Sequence, residues 1–318
     1  MSSNTKLKKV MKIFPLFICI TILSGLIAKG QSAGDQEKPI KDDEVFRSIK
    51  KALKYAYKAR GFAVVKQRQT ELPKEIGKLK LLEVLVLNRC RITHLPKEVG
   101  ELENLREFDS EYSHLTQLPP EFGQLKNLRR IWIVQNRLEG LPKELFNLTK
   151  LTDLHLPGNR LKALSSDIKN LQELHTLNLY GNQIATIPKE IGELKSLVYL
   201  LLGKNQLKEL PKEIGKLKGL WDLRLMANEL TSLPKEIGQL RDLRKLSLYG
   251  NQLVSIPKEI GQLQKLNRID LSGNKLTSIP KEMAQMGSLR FLDLKGNPIP
   301  KKDRKAIRAL LPNCRVKF

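Results

Sequence analysis

Leu220-Trp221-Asp222-Leu223-Arg224-Leu225-Met226-Ala227-Asn228-Glu229-Leu230 carries the pattern L-x-x-L-x-L-x-x-N-x-L. Leu223 and Leu225 alternate with polar neighbours at period 2, which predicts a short strand with one face turned inward. Upstream, Leu210, Ile214, Leu217 and Leu220 recur at helical spacing and predict a short helical return segment. Pro211 stands where a helix start tolerates a missing N–H. Gly215 is expected to take the left-handed backbone that ends a tight turn.

The pattern extends in both directions. Leucine recurs every 23 residues at positions 82, 105, 128, 151, 174, 197, 220, 243, 266 and 289, ten copies without an insertion. The spacer L-P-K-E-I-G-x-L is intact at Leu72, Leu210 and Leu233, and at Leu95 with Val99 for isoleucine. One such unit cannot bury its own leucines, so neighbours must stack. This is the signature of leucine-rich repeats. The expected fold class is α/β: a leucine-rich-repeat solenoid, a right-handed horseshoe with a parallel concave sheet, short helical segments on the convex side, and helical N- and C-caps. The Pro-Lys-Glu-Ile-Gly spacer resembles the 23-residue repeats of secreted leptospiral proteins and related bacterial families, over about residues 59–318.

The asparagines 136, 159, 182, 205, 228, 251, 274 and 297 occupy one equivalent position in the unit. A core asparagine needs its amide satisfied, and loop backbone of its own and adjacent repeats is the available partner. Asn136, Asn159, Asn182, Asn205, Asn228, Asn251, Asn274 and Asn297 are therefore expected to form a structural ladder, with Cys90 holding the same position in the first full repeat. Repeat 2 departs from the pattern: Ser110 replaces an inward leucine, Ser113 replaces the ladder asparagine, and Glu107, Asp109 and Glu111 cluster beside them. That departure is either functional or drift.

Four units of organisation follow: a signal peptide (1–30), a linker and N-terminal capping helix (31–60), the array (61–300) and a C-terminal cap (301–318). Lys6, Lys8, Lys9 and Lys12 precede an apolar run from Ile13 to Ala28, which reads as a cleaved secretory signal, with an uncleaved membrane anchor as the alternative. Asp42-Asp43 followed by Val45, Phe46, Ile49, Leu53 and Ala56 reads as one amphipathic capping helix, and Phe62-Ala63-Val64 as a degenerate first strand. At the other end Asp303 to Leu311 reads as a helix and Val316 to Phe318 as a last strand. Cys90 and Cys314 lie roughly 40–50 Å apart along such a stack, given about 4.8 Å per strand, which excludes a disulfide between them.

The 318 residues hold 57 Lys+Arg against 33 Asp+Glu, a net charge of +24; loss of residues 1–30 removes five lysines and no acid and leaves +19. His94, His114, His155 and His175 have no metal-ligand spacing, and no catalytic or phosphate-cradling motif occurs. No enzyme activity, cofactor or small-molecule substrate is expected. The residues beside the strand leucines form three concave columns, and they hold seven acids and five bases. A near-neutral face argues against nucleic acid as the partner and places the positive charge on the convex side, the edges and the caps.

Large side chains stand out in those columns. Trp132, His155, Tyr180, Tyr199, Leu201, Arg224, Met226 and Tyr249 are the residue types of protein hot spots and are the candidate partner-binding set; the alternative is that Trp132 and Tyr199 pack on strand neighbours. The expected function is an exported binding module, secreted or at the cell surface, that recognises a protein on its concave face. The leptospiral resemblance implies an adhesive or invasin-like role toward a host protein. The alternative is a periplasmic or envelope scaffold that binds anionic surface polymer, lipopolysaccharide or acidic polysaccharide, through basic edges.

Overall fold

The structure, a computed structural model, describes residues 40–41, 44–65 and 69–318. The signal-peptide reading of residues 1–30 and the pair Asp42-Asp43 lie outside them. Among the described residues, thirteen parallel strands form a single sheet in chain order. They begin with β1 (Val45–Phe46), β2 (Gly61–Val65) and β3 (Val84–Asn88). The 23-residue rhythm then sets β4 (Glu107–Asp109), β5 (Arg130–Trp132), β6 (Asp153–His155), β7 (Thr176–Asn178) and β8 (Tyr199–Leu201). It continues through β9 (Asp222–Arg224), β10 (Lys245–Ser247), β11 (Arg268–Asp270) and β12 (Phe291–Asp293), and β13 (Arg315–Lys317) closes the sheet.

The leucine pattern explains this order. Leu220, Leu223 and Leu225 are fully buried, as are their counterparts in the neighbouring units, so one continuous apolar core runs the length of the stack. The residues between them face the concave side, and register is exact across units, with Leu223 opposite Leu200 and Leu246.

The return segments are tighter than helical spacing implies. Lys212–Lys216 forms a single 3-10 turn, with Pro211 as its cap and the Pro211 carbonyl accepting from Ile214 N–H at 3.0 Å. A 3-10 turn advances faster per residue than an α-helix, and the short spacer has no room for more. Gly215 does not take a left-handed backbone. Its role is clearance: a Cβ there would sit 2.5 Å from the Glu236 carbonyl oxygen of the next unit. The left-handed residue falls instead just before each ladder position, at Gly181 (φ 68°) and Ala227 (φ 53°) for example.

The ladder is directional. Asn228 Nδ2 donates to the carbonyls of Leu202 and Leu225, each at 3.0 Å, and Oδ1 accepts from Leu207 N–H at 3.0 Å. Two of the three bonds reach back toward the amino terminus. Asn297, beside the cap, makes the same three, to Leu271 O, Leu294 O and Leu276 N–H. Ser113 keeps the same reach, donating to Leu87 O at 2.8 Å and accepting from Cys90 N–H at 3.1 Å. Cys90 Sγ lies 3.3 Å from Val64 O, and both Cys90 and Cys314 are free thiols. Ser110 is fully buried and donates to Leu87 O at 3.3 Å, while Phe108 of the same unit meets Phe122 edge to face at 5.2 Å.

The amino-terminal cap differs from the expected single helix. Val45 and Phe46 form β1, Ile49–Lys54 is the α-helical part (α1), and Ala56–Lys58 is a separate 3-10 turn. The edge of β2 needs a hydrogen-bonding partner, and a strand supplies one where a helix does not. At the other end α2 (Arg304–Leu310) and β13 cover the last repeat.

Candidate functional site

Strand register brings the concave columns together residue by residue. Trp132, His155, Asn178, Leu201 and Arg224 stand opposite one another across β5 to β9. Tyr199 stands opposite Asp222, and Asp222 opposite Lys245. Tyr180, Met226 and Tyr249 follow their strands, and Tyr180 and Met226 crowd the bare Cα of Gly203 between them. A Cβ at Gly203 would lie 3.0 Å from the Tyr180 ring and closer still to the Met226 sulfur. Tyr199 and Tyr249 are exposed, at 39 % and 52 %. Trp132, His155, Tyr180, Leu201 and Met226 are half-buried, and Arg224 is exposed.

The face is not uniform along its length. At the amino-terminal end, Val84 and Val86 point to the concave side yet are buried with Ala63 against Ile40, and Val45 packs on the same cluster. These first two column residues are therefore covered by the chain itself. Asp109 is also buried, and its Oδ2 accepts from Asn88 Nδ2 at 3.0 Å while Oδ1 has no hydrogen-bond partner among the described residues. Burial pushes this carboxyl up to about 7; the charge of Glu111 adds to the shift, the Asn88 bond opposes it and Glu107 adds a little more. Glu107 is bound by the Arg130 guanidinium.

In the middle, the Trp132 and His155 rings meet at 5.8 Å, tilted by 32°, and Arg130 lies over the indole at 5.7 Å. Packing on strand neighbours thus accounts for part of the Trp132 surface. Burial opposes the charge of Asp153, but hydrogen bonds from His155, Thr152 and Thr176 outweigh it and hold the carboxyl below its ordinary range.

From β8 onward several cations lie on rings, while Arg224 pairs with Asp222. Lys204 sits over Tyr180 at 5.5 Å. Lys245 and Arg244 sit over Trp221 at 4.7 and 5.9 Å, and Tyr199 meets the same indole edge to face at 5.9 Å. Arg268 and Lys317 lie over Phe291 at 4.4 and 5.0 Å. Sequence reasoning placed the positive charge away from this face and missed these pairs. The signal was present: Lys204 follows Tyr180, and Lys245 follows Trp221, by 24 residues, one repeat plus one.

Two family models match the chain: leucine-rich repeat region over residues 52–158 and 142–252, and leucine rich repeat over 241–299. The chain belongs to the leucine-rich-repeat family. A leucine-rich-repeat protein of Leptospira interrogans is 30% identical, with a TM-score of 0.51, over 86% of this chain and 99% of its own. The plant peptide hormone receptor RGFR1 in complex with RGF2 is 26% identical, with a TM-score of 0.61, over 76% of this chain and 44% of the receptor chain. A TDR receptor is 25% identical, with a TM-score of 0.72, over 88% and 50%. The chain thus spans half or less of each receptor chain. No curated protein matches it.

Leucine-rich-repeat proteins are typically non-catalytic interaction modules. Among the described residues, no group of three or more His, Cys, Asp or Glu could hold a metal ion, and no helix is long and apolar enough to cross a membrane. What the arrangement offers chemically is contact: aromatic faces, a thioether and cations on a rigid sheet.

Proposed function

We propose that the chain is an exported leucine-rich-repeat module that engages a protein partner, on the leptospiral resemblance a host protein, through the concave face. The observation that carries this reading is the contrast between the nearly constant Pro-Lys-Glu spacer, present in eight copies, and the concave columns, where Tyr199 and Tyr249 stand 39 % and 52 % exposed in a chain with 5% aromatics. Folding of the repeats does not need large side chains there. Exposed aromatics on a rigid scaffold lose little entropy on docking. Trp132, His155, Tyr180, Tyr199, Leu201, Arg224, Met226 and Tyr249 form the proposed contact set.

The test is a pull-down with the exported form, followed by titration of the recovered partner. Alanine at Trp132, Tyr180 and Tyr199 is expected to weaken binding by two orders of magnitude or more, since each hot spot contributes about 2 kcal/mol. Charge reversal of Lys212, Lys235 and Lys258 on the convex turns is expected to change it little. The opposite outcome would replace this reading with attachment to an anionic surface polymer through basic edges.

A further inference from the structure

The concave charge is close to balanced in total but segregated along the stack. In the amino-terminal half cations and carboxylates neutralise one another: Arg130 holds Glu107, and Arg60 lies 2.6 Å from Glu83 and 3.5 Å from Glu44. From β8 to β13 one such pair forms on the face, Arg224 with Asp222, and other cations stay outside it. Lys204, Arg244, Lys245, Arg268 and Lys317 make ring contacts, and none forms an ion pair among the described residues.

The nearby acids are engaged elsewhere. Asp222 is buried and held by Arg224 at 2.9 Å. Asp270 accepts from the backbone N–H and hydroxyl of Ser272, and Asp293 from Lys295 N–H. A cation laid on an aromatic face keeps its charge and its open hemisphere. The row is thus pre-positioned for carboxylates arriving from solvent.

Resting on the concave-face reading, we infer that the carboxy-terminal half of this face binds an extended acidic polypeptide segment with interspersed apolar side chains. Charge complementarity names the acidic part. Tyr199, Met226 and Tyr249, which lie on the same strands and turns, offer a surface for the apolar part. They favour a polypeptide over a purely ionic polymer, which has nothing to place on a thioether. Six strand steps from β7 to β13 span about 29 Å at 4.8 Å each, the reach of roughly nine extended residues.

The probe is a fluorescein-labelled decapeptide alternating Glu with Leu and Phe, titrated by anisotropy into the full chain; a Lys counterpart and heparin are run in parallel. The acidic peptide is expected to bind and the Lys peptide not. Joint reversal of Lys204, Lys245 and Arg268 to Glu should weaken binding at least tenfold, and the milder Lys245→Gln should weaken it measurably should the triple variant fail to melt like wild type. Met226→Ala should also weaken the peptide and leave heparin unaffected.

Unchanged affinity in both charge variants would overturn the inference, as would preference for the Lys peptide. Tighter binding of heparin that is indifferent to Met226 would overturn the polypeptide class. The concave-face reading is judged separately, by the recovered partner and the Trp132/Tyr180/Tyr199 alanine variant, so the two can fail independently.

Discussion

The two ends of the concave face are built from the same repeat and do opposite things with it. Near β3 and β4 the columns hold Val84, Val86 and Asp109, and all three are buried, the valines against Ile40. Near β9 and β10 the columns hold Lys245, Met226 and Tyr249 beside the buried Asp222, and these three stay open to solvent at least in part. The backbone path is the same at both ends, and Ser113 keeps the backward reach of the ladder asparagines. The difference teaches that position in a repeat fixes direction, while availability depends on what else the chain lays over that repeat.

The covered end can be broken by pH. Asp109 has its carboxyl raised from 3.8 to about 7 in the fold, so the folded chain binds a proton that the unfolded chain has released between those values. Stability contributed by this group is therefore greatest below about pH 4, falls as pH rises and levels off above 7; the whole span corresponds to up to about 4 kcal/mol. Asp109→Asn should flatten that slope, raising the melting temperature at pH 8 while leaving it little changed at pH 4. A parallel slope in the variant would remove Asp109 from the account.

The shared ladder can be broken next. Asn228→Leu leaves carbonyls and an N–H of the turn unpaired and should cost roughly 2–4 kcal/mol in denaturant unfolding. Asn297→Leu removes the same three bonds, but Asn297 is half-buried and water can replace part of them, so a smaller loss is expected. Equal losses would show that burial contributes nothing to the ladder. Gly215→Val forces a side chain against the Glu236 carbonyl and should cost about 1–3 kcal/mol by overpacking, without change at the concave face.

Much of this architecture was legible in the sequence because a strict period ties every residue to one environment. The inward leucines, the ladder positions and the carboxy-terminal helix and strand follow from spacing alone. Gly215 was misread because glycine serves two needs, left-handed backbone and close approach, and only the neighbouring unit decides between them. Val45-Phe46 was misread because an apolar pair fits a helix face and a strand equally well. The burial of Val84 and the seating of Lys245 on Trp221 depend on contacts outside the single unit. Reading columns one residue out of register would have exposed the second of these, but not the first.

The open end is tested most directly by its own fluorophores. The chain has two tryptophans, Trp132 toward the amino-terminal half and Trp221 under Lys245 and Arg244. Two single-tryptophan proteins, Trp132→Phe and Trp221→Phe, are titrated with the acidic decapeptide and followed by emission. The expected result is a saturable change in Trp221 emission, lost in 0.5 M salt as about a 4–5 Å Debye length screens the contacts, with Trp132 silent. A response from Trp132 with Trp221 silent, or peptide binding by anisotropy with neither responding, would contradict a cationic, open carboxy-terminal half.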